Sequence, residues 1–372
     1  NSREYQDIDS EKDSPKDDEF VSHTDDNYRQ NENKLFATDP DAYYYGKIPQ
    51  FDLSKVIVPY KTLWTRHRKD YADWKIEYSH IPDLQEKVKP EDYIKVRTDA
   101  KKIVGYLAKE FELRKNAEQL KRASIAKTGE LNMNKIYSYK FADDIFKKMT
   151  VVPDGKSHGL VMFLDWSGSM HDHLENTVKQ LINLTMFCKK VNIPFEVYAF
   201  TADYYTENGT KPMNNYFTKK VGDIIPGNSF HLMNMLSSKM SAAEYSYACS
   251  SILSAANRYG FRPSWMSLSG TPLNETIIAA MDIIPMFKKE YKLQIVNTVF
   301  LTDGDGHTLQ QIWQQTEDGR FYGDYSDNGQ SAYRRQKKLV IVDPVTQHQE
   351  FVDDMTCKKL SSHFLKFLKI RT

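Results

Sequence analysis

One junction recurs along this 372-residue chain and narrows the folds open to it: an apolar run stops abruptly at a carboxylate or hydroxyl. Leu160-Val161-Met162-Phe163-Leu164 leads directly into Asp165-Trp166-Ser167-Gly168-Ser169, and Val299-Phe300-Leu301 into Thr302-Asp303-Gly304. Short continuous apolar runs bounded by turn residues read as strands buried on both faces, the pattern of a parallel sheet covered by helices. A third stretch, Ser269-Gly270-Thr271-Pro272-Leu273, opens a helical pattern. Loops at the carboxyl ends of strands are where open α/β sheets keep their ligand sites.

Between these junctions the chain alternates in the βα manner. The pattern gives a strand at 160–164, a helix at about 173–190, a strand at 195–200, helices at 244–257 and 273–288, and a strand at 295–301. This predicts an α/β fold with a doubly wound, mostly parallel, Rossmann-like sheet. Two polar insertions, about 202–243 and 305–338, leave the sheet at or near the edge carrying the junctions, where long loops set partner choice. The second includes Gly323-Asp324-Tyr325-Ser326-Asp327-Asn328-Gly329. Segments 339–342 and 347–352, separated by Asp343-Pro344, read as a hairpin, and Leu360, Phe364, Leu365 and Leu368 mark a last helix.

Asp165, Ser167, Ser169, Thr271 and Asp303 together offer two carboxylates and three hydroxyls. Hard oxygen donors of this kind suit Mg²⁺ or Mn²⁺, with Ca²⁺ also satisfied, whereas softer metals want Cys or His. The hydroxyls are neutral, so a dication held by this set stays electron-poor. Six-coordination also leaves a position for water or for a carboxylate from outside.

Asp-x-Ser-Gly-Ser, Gly-Thr-Pro-Leu and Thr-Asp-Gly in that order resemble the metal-ion-dependent adhesion site of a von Willebrand factor A domain. Within that superfamily the chain is similar to the C-terminal module of the large cobaltochelatase subunit and to von Willebrand A proteins of tailed bacteriophages. The residues carrying this are Lys127-Thr128-Gly129, Tyr139-Lys140-Phe141-Ala142-Asp143-Asp144-Ile145-Phe146 and Gly155-Lys156-Ser157-His158-Gly159, over about residues 98–305. The resemblance implies a metal-dependent binding adaptor that acts with a hexameric AAA+ ATPase of the MoxR or cobaltochelatase type, or with its client, through an acidic partner residue. It also allows a part in cobalt insertion into a corrin ring. Trp166 departs from the smaller polar residue often found at its position; packing on the adjacent loop is favoured over a gating or partner contact. After the last helix the resemblance implies a further strand, but the sequence stops at Arg371-Thr372. Either the sheet is one strand short or the elements fall elsewhere, and a first residue other than Met likewise suggests a fragment.

Outside the core, residues 1–40 are acidic and poor in apolar residues, the composition of a disordered tail. Residues 41–157 read as a mainly helical extension preceding a domain at 158–372. In it Trp64, Tyr71, Trp74 and Tyr78 recur at helical steps, and a helix over about 98–125, capped by Thr98, shows an apolar face of Ile103, Val104, Leu107, Phe111 and Leu120. The long helix and the segment 141–149 have no place in a minimal domain and read as scaffold or ATPase-docking surface. Arg66-His67-Arg68-Lys69 beside Trp64 and Trp74 suggests stacked bases but reads better as the polar face of a helix. With 51 basic against 50 acidic residues and no single basic stripe, nucleic acid binding has little support. Cys188, Cys249 and Cys357 are widely separated and read as reduced thiols of a cytoplasmic protein, and no apolar run is long enough to span a bilayer.

Enzyme readings fare less well. Gly155-Lys156-Ser157 mimics the end of a phosphate-binding loop, yet Thr150 stands where its first Gly belongs and Pro153 interrupts it. His171-Asp172-His173 follows the first loop, but no His-Glu-x-x-His exists for a zinc peptidase. Ser167 and Ser169 lack a Gly-x-Ser-x-Gly elbow, and Asp165 with Asp303 as an acid/base pair leaves three hydroxyls idle. A metal-assisted peptidase using the same aspartates is the competing class.

Overall fold

A computed structural model describes residues 43–80, 91–122, 124–134, 146–151, 157–202, 216–227, 229–258, 260–304, 312–315, 319–324, 338–352 and 357–372, with residues 140, 306 and 309. The first forty residues and residues 325–337 of the second insertion lie outside these. The chain is a mixed α/β protein on a mostly parallel five-stranded sheet. Its strands are β2 (Ile57–Val58), β5 (His158–Asp165), β6 (Phe195–Thr201), β7 (His231–Ser237) and β8 (Ile295–Leu301). They lie in the order β2-β7-β6-β5-β8, and only the β6–β7 pairing is antiparallel.

Strand β5 is central because seven of its eight residues are buried, leaving no face for water. Alternate side chains then feed two cores. Val161 and Phe163 join one with the helix α6 (Leu273–Glu290), while Leu160, Met162 and Leu164 join the other with α4 (Leu174–Lys190) and α5 (Ala242–Ala256). Burying such side chains contributes roughly 1.5–3 kcal/mol each. Gly159 is obligatory at the start of β5, since a Cβ there would stand 2.3 Å from Leu293 and 2.7 Å from Phe287. Helix α5 opens with a capping box between Ser241 and Glu244.

The insertion 202–243 contains β7, which is fully buried within the sheet. Its polar residues are used there: Asn234 and Ser237 donate to the buried Glu196 carboxylate at 2.9 and 2.7 Å. The second insertion carries a short antiparallel hairpin of β9 (Ile312–Gln315) and β10 (Phe321–Asp324).

The extension is less uniformly helical than its sequence suggests. It holds β1 (Tyr43–Lys47), the sheet strand β2 and an antiparallel pair, β3 (Ser124–Leu131) with β4 (Phe146–Val151), the latter overlapping the segment 141–149. The helices are α1 (Leu53–Val56), α2 (Tyr60–Glu77) and α3 (Glu91–Arg122). Thr98 is not a cap: α3 begins seven residues earlier, and the Thr98 hydroxyl donates to the Ile94 carbonyl inside the helix. Its buried face is Tyr93, Ala100, Val104 and Ala108, whereas Ile103 and Leu107 are about half exposed. On α2, Tyr71 stacks on Trp74 with ring centres 5.9 Å apart, and both pack on Phe261.

The hairpin β11 (Lys338–Val342) and β12 (Gln349–Val352) forms with β1 a separate three-stranded sheet and does not extend the central one. Helix α7 (Cys357–Arg371) packs beside it, burying Leu360, Phe364 and Leu368 and leaving Leu365 exposed. Arg371 fastens this region, bonding to both Asp343 oxygens and, at 3.3 Å, to Asp282 of α6. No helix of the described residues is long and apolar enough to cross a membrane, and Cys188 and Cys249 are buried and free.

Because Asp343 is fully buried, Arg371→Met strands its charge; urea denaturation is expected to show a loss of about 3–5 kcal/mol. Burial alone raises the Asp343 carboxyl, but Arg371 and the Val345 and Thr346 donors outweigh it and hold it below the usual carboxylate range. Its contribution is therefore complete above that range and lost as pH falls through the depressed value, so the variant and the parent converge in stability at strongly acid pH.

Candidate metal centre

Asp165 ends β5 and Thr302-Asp303 follow β8, its parallel neighbour, so two carboxylates are delivered to adjacent strand ends. The register accounts for this: Leu164 stands opposite Leu301, one residue before each turn. The chain after Asp165 carries Ser167 and turns into a short 3-10 segment, Ser169–Asp172, that presents Ser169. Thr271 comes from the loop before α6.

These pieces are cross-linked. The Ser167 and Ser169 hydroxyls lie 3.0 Å apart, and Ser169 donates to Asp303 Oδ1 at 3.0 Å. Thr302 donates to Asp165 Oδ2 at 2.6 Å. The Thr271 loop is docked by backbone: Gly168 N–H donates to Ser269 O at 3.0 Å, and Ser167 and Ser269 form an isolated parallel bridge. Thus Asp165, Ser167, Ser169 and Asp303 gather directly, and Thr271, nearly buried, sits on the loop fixed beside them.

Asp165 is fully buried, and its Oδ1 has no hydrogen-bond donor among the described residues. Burial raises its pKa; the Thr302 and Ser167 hydroxyls oppose this, and the nearby Asp303 charge adds to it. A buried anionic oxygen without a donor is costly unless a cation answers it. Among the described residues no three His, Cys, Asp or Glu side chains form a metal-binding group, so a cation here depends on hydroxyl oxygens. An all-oxygen set with two carboxylates suits Mg²⁺ or Mn²⁺, which Asp165, Ser167, Ser169, Thr271 and Asp303 would hold. His171 is partly buried, its Nδ1 4.0 Å from Asp172.

Trp166 faces the interior. It is fully buried, and its indole N–H donates to Met266 O at 2.7 Å, so the ring anchors the loop that leads to Ser269 and Thr271. Arg262 lies over it, 5.9 Å from the ring centre. Two contributors escaped the sequence reading. Thr302 was visible only as part of Thr-Asp-Gly, and Glu275 is the first-turn acid of α6. The buried Glu275 carboxylate accepts from Gly227 N–H at 2.8 Å, tying the first insertion to the helix that begins at the Thr271 loop. Gly227 has no room for a Cβ, which would lie 2.8 Å from that carboxylate. A cavity of about 370 Å³ between α3, α4 and α5 is lined by none of the five site residues. No family model and no curated protein matches the chain.

Two expectations follow. Since a metal competes with the proton on Asp165, Mn²⁺ affinity measured by calorimetry is expected to fall as pH drops through a range above that of an ordinary carboxylate, and to vanish in Asp165→Ala. Trp166→Phe leaves the Met266 carbonyl unanswered and is expected to cost about 1–3 kcal/mol in urea denaturation while weakening Mn²⁺ binding.

Proposed function

We propose that this protein is a von Willebrand A-type adaptor that binds a divalent cation through Asp165, Ser167, Ser169, Thr271 and Asp303 and uses it to capture an acidic side chain of a protein partner. The observation that carries this reading is the buried, donor-less Asp165 Oδ1 at a strand end, surrounded by Ser167, Ser169 and Asp303 and braced against the Thr271 loop. The mostly parallel sheet with both carboxylates at neighbouring strand ends supports it as well.

The chemistry favours binding over turnover. Ser169 is engaged with Asp303, and a serine oxygen on a dication is a poor nucleophile. Two carboxylates match the ion's formal charge, but five protein groups do not fill six coordination positions, so one position is left that an outside carboxylate can take. Ser169 and Asp303 are exposed, which puts that position within reach of a macromolecule. The partner is a hexameric AAA+ ATPase of the MoxR or cobaltochelatase type, or its client, and the adaptor joins motor to substrate. Corrin metallation is the narrower version of the same role.

The experiment uses the full chain immobilised and a purified MoxR-type ATPase. Retention is expected with Mg²⁺, and its loss is expected on chelation and in Asp303→Ala, at least about tenfold for a ligand whose charge carries the contact. Peptide cleavage that requires Mg²⁺ and disappears in Asp165→Ala would instead identify a hydrolase.

A further inference from the structure

The basic run of α2 is not used by the metal centre, and its surroundings give it a purpose. Two rows of side chains at helical spacing, Lys61-Thr65-Lys69 and Thr62-Arg66-Asp70, line a groove of about 510 Å³ on the outer face of α2. Lys61, Thr62, Thr65 and Lys69 are exposed, while the opposite face of the helix, Leu63, Trp64 and His67, is buried. Three cations, Lys61, Arg66 and Lys69, line the groove with one carboxylate, Asp70, whose Oδ2 accepts from the Trp265 indole N–H at 2.5 Å. The Arg66 guanidinium lies over the same indole, its carbon 4.5 Å from the ring centre. Other charges bound the groove. Glu244 of α5 lies within electrostatic range of Lys61 and Arg68, and Asp73 and Glu77 continue α2 beyond Lys69.

The groove is tied to the metal loops through the interior. Trp265, bonded to Asp70, adjoins Met266, whose carbonyl receives the indole N–H of Trp166, the residue between Asp165 and Ser167. The same stretch continues to Ser269, the residue bridged to Ser167. The basic face of α2 and the loop carrying Ser167 are thus both anchored to the segment Trp265–Ser269.

We propose that this groove is a second contact for the acidic partner: an acidic polypeptide segment whose carboxylates lie along Lys61, Arg66 and Lys69. Lys61 and Lys69 are separated by about 12 Å along the helix, a span covered by roughly four residues of extended chain. The two threonine hydroxyls between the cations can donate to carboxylate oxygens or to backbone carbonyls. A polypeptide fits better than a nucleic acid, because the basic track is short and Asp73 and Glu77 end it, whereas nucleic acid needs a longer stripe of like charge. The proposal rests on the metal-centre reading only for where the rest of the partner goes; the groove's own affinity does not require the cation.

The test measures binding of a fluorescent poly-glutamate peptide to the full chain by anisotropy at low salt, with Mg²⁺ and with chelator, beside an oligonucleotide of equal charge. The wild type is expected to bind the peptide under both conditions, more tightly with Mg²⁺. Lys61→Glu with Lys69→Glu is expected to weaken peptide binding about tenfold or more in either condition and to flatten its salt dependence, because these are screened surface charges. Mn²⁺ affinity, read by calorimetry, is expected to stay unchanged in that variant, and Lys61→Gln with Lys69→Gln is expected to give an intermediate loss. Peptide affinity indifferent to the charge reversal, no peptide binding in chelator, or tighter binding of the oligonucleotide would each overturn the groove. Failure of the metal-centre reading shows separately, as absence of Mn²⁺ binding with the chelator-resistant peptide signal intact.

Discussion

A carboxylate buried at the end of an inner strand is expensive, and much of the surrounding architecture answers to that cost. Asp165 cannot retreat, since β5 is paired on both sides and its side chains are committed to cores on both faces. Thr302 answers one oxygen, and the other has no hydrogen-bond partner among the described residues. The loops around it are then held by contacts that do not themselves touch a cation. Trp166 pins the loop leading to Ser269, the Gly168–Ser269 bond docks that loop against the first, and Glu275 ties the first insertion to α6. Preorganisation of this kind is what a weakly charged oxygen site needs, because each neutral hydroxyl contributes little unless it is already in place.

The rest of the molecule is arranged as two covers over that sheet. One cover, of α6, α7 and the sheet β1-β11-β12, is fastened by the Arg371 bonds to Asp343 and Asp282. The other, of α2 to α5, is sealed by aromatic packing around Trp74, Tyr71 and Phe261 and by the His67 contact to Tyr247. Burial drives the His67 imidazole down to a pKa of about 4, so it stays neutral and serves as part of this apolar seal.

Strands with a continuous apolar run were readable from sequence: 160–164, 195–200 and 295–301 match β5, β6 and β8 within a few residues, although β8 lies at the sheet edge and is only partly buried. Strand β7 escaped because His231, Asn234 and Ser237 interrupt its apolar pattern, and the acceptor that makes two of them tolerable, Glu196, lies 38 to 41 residues away in the chain. The two-residue β2 carries too little pattern to be seen. Helix α3 was placed late because Thr98 looks like a cap, while its hydroxyl finds a partner inside the helix. At the site, the identity of the five oxygen donors could be proposed from local motifs. The bracing by Thr302, Trp166, Ser269 and Glu275 could not, since each depends on which loops become neighbours.

The position of Asp165 within the sheet also decides how the site bears a pull. A tug applied at the carboxyl end of β5 runs along the strand, and the parallel hydrogen-bond ladders to β6 and β8 resist it in shear, many bonds at once. The same tug on a peripheral strand peeled from its neighbour would open bonds one after another. A load at this end of the molecule therefore falls on a strand laddered on both sides.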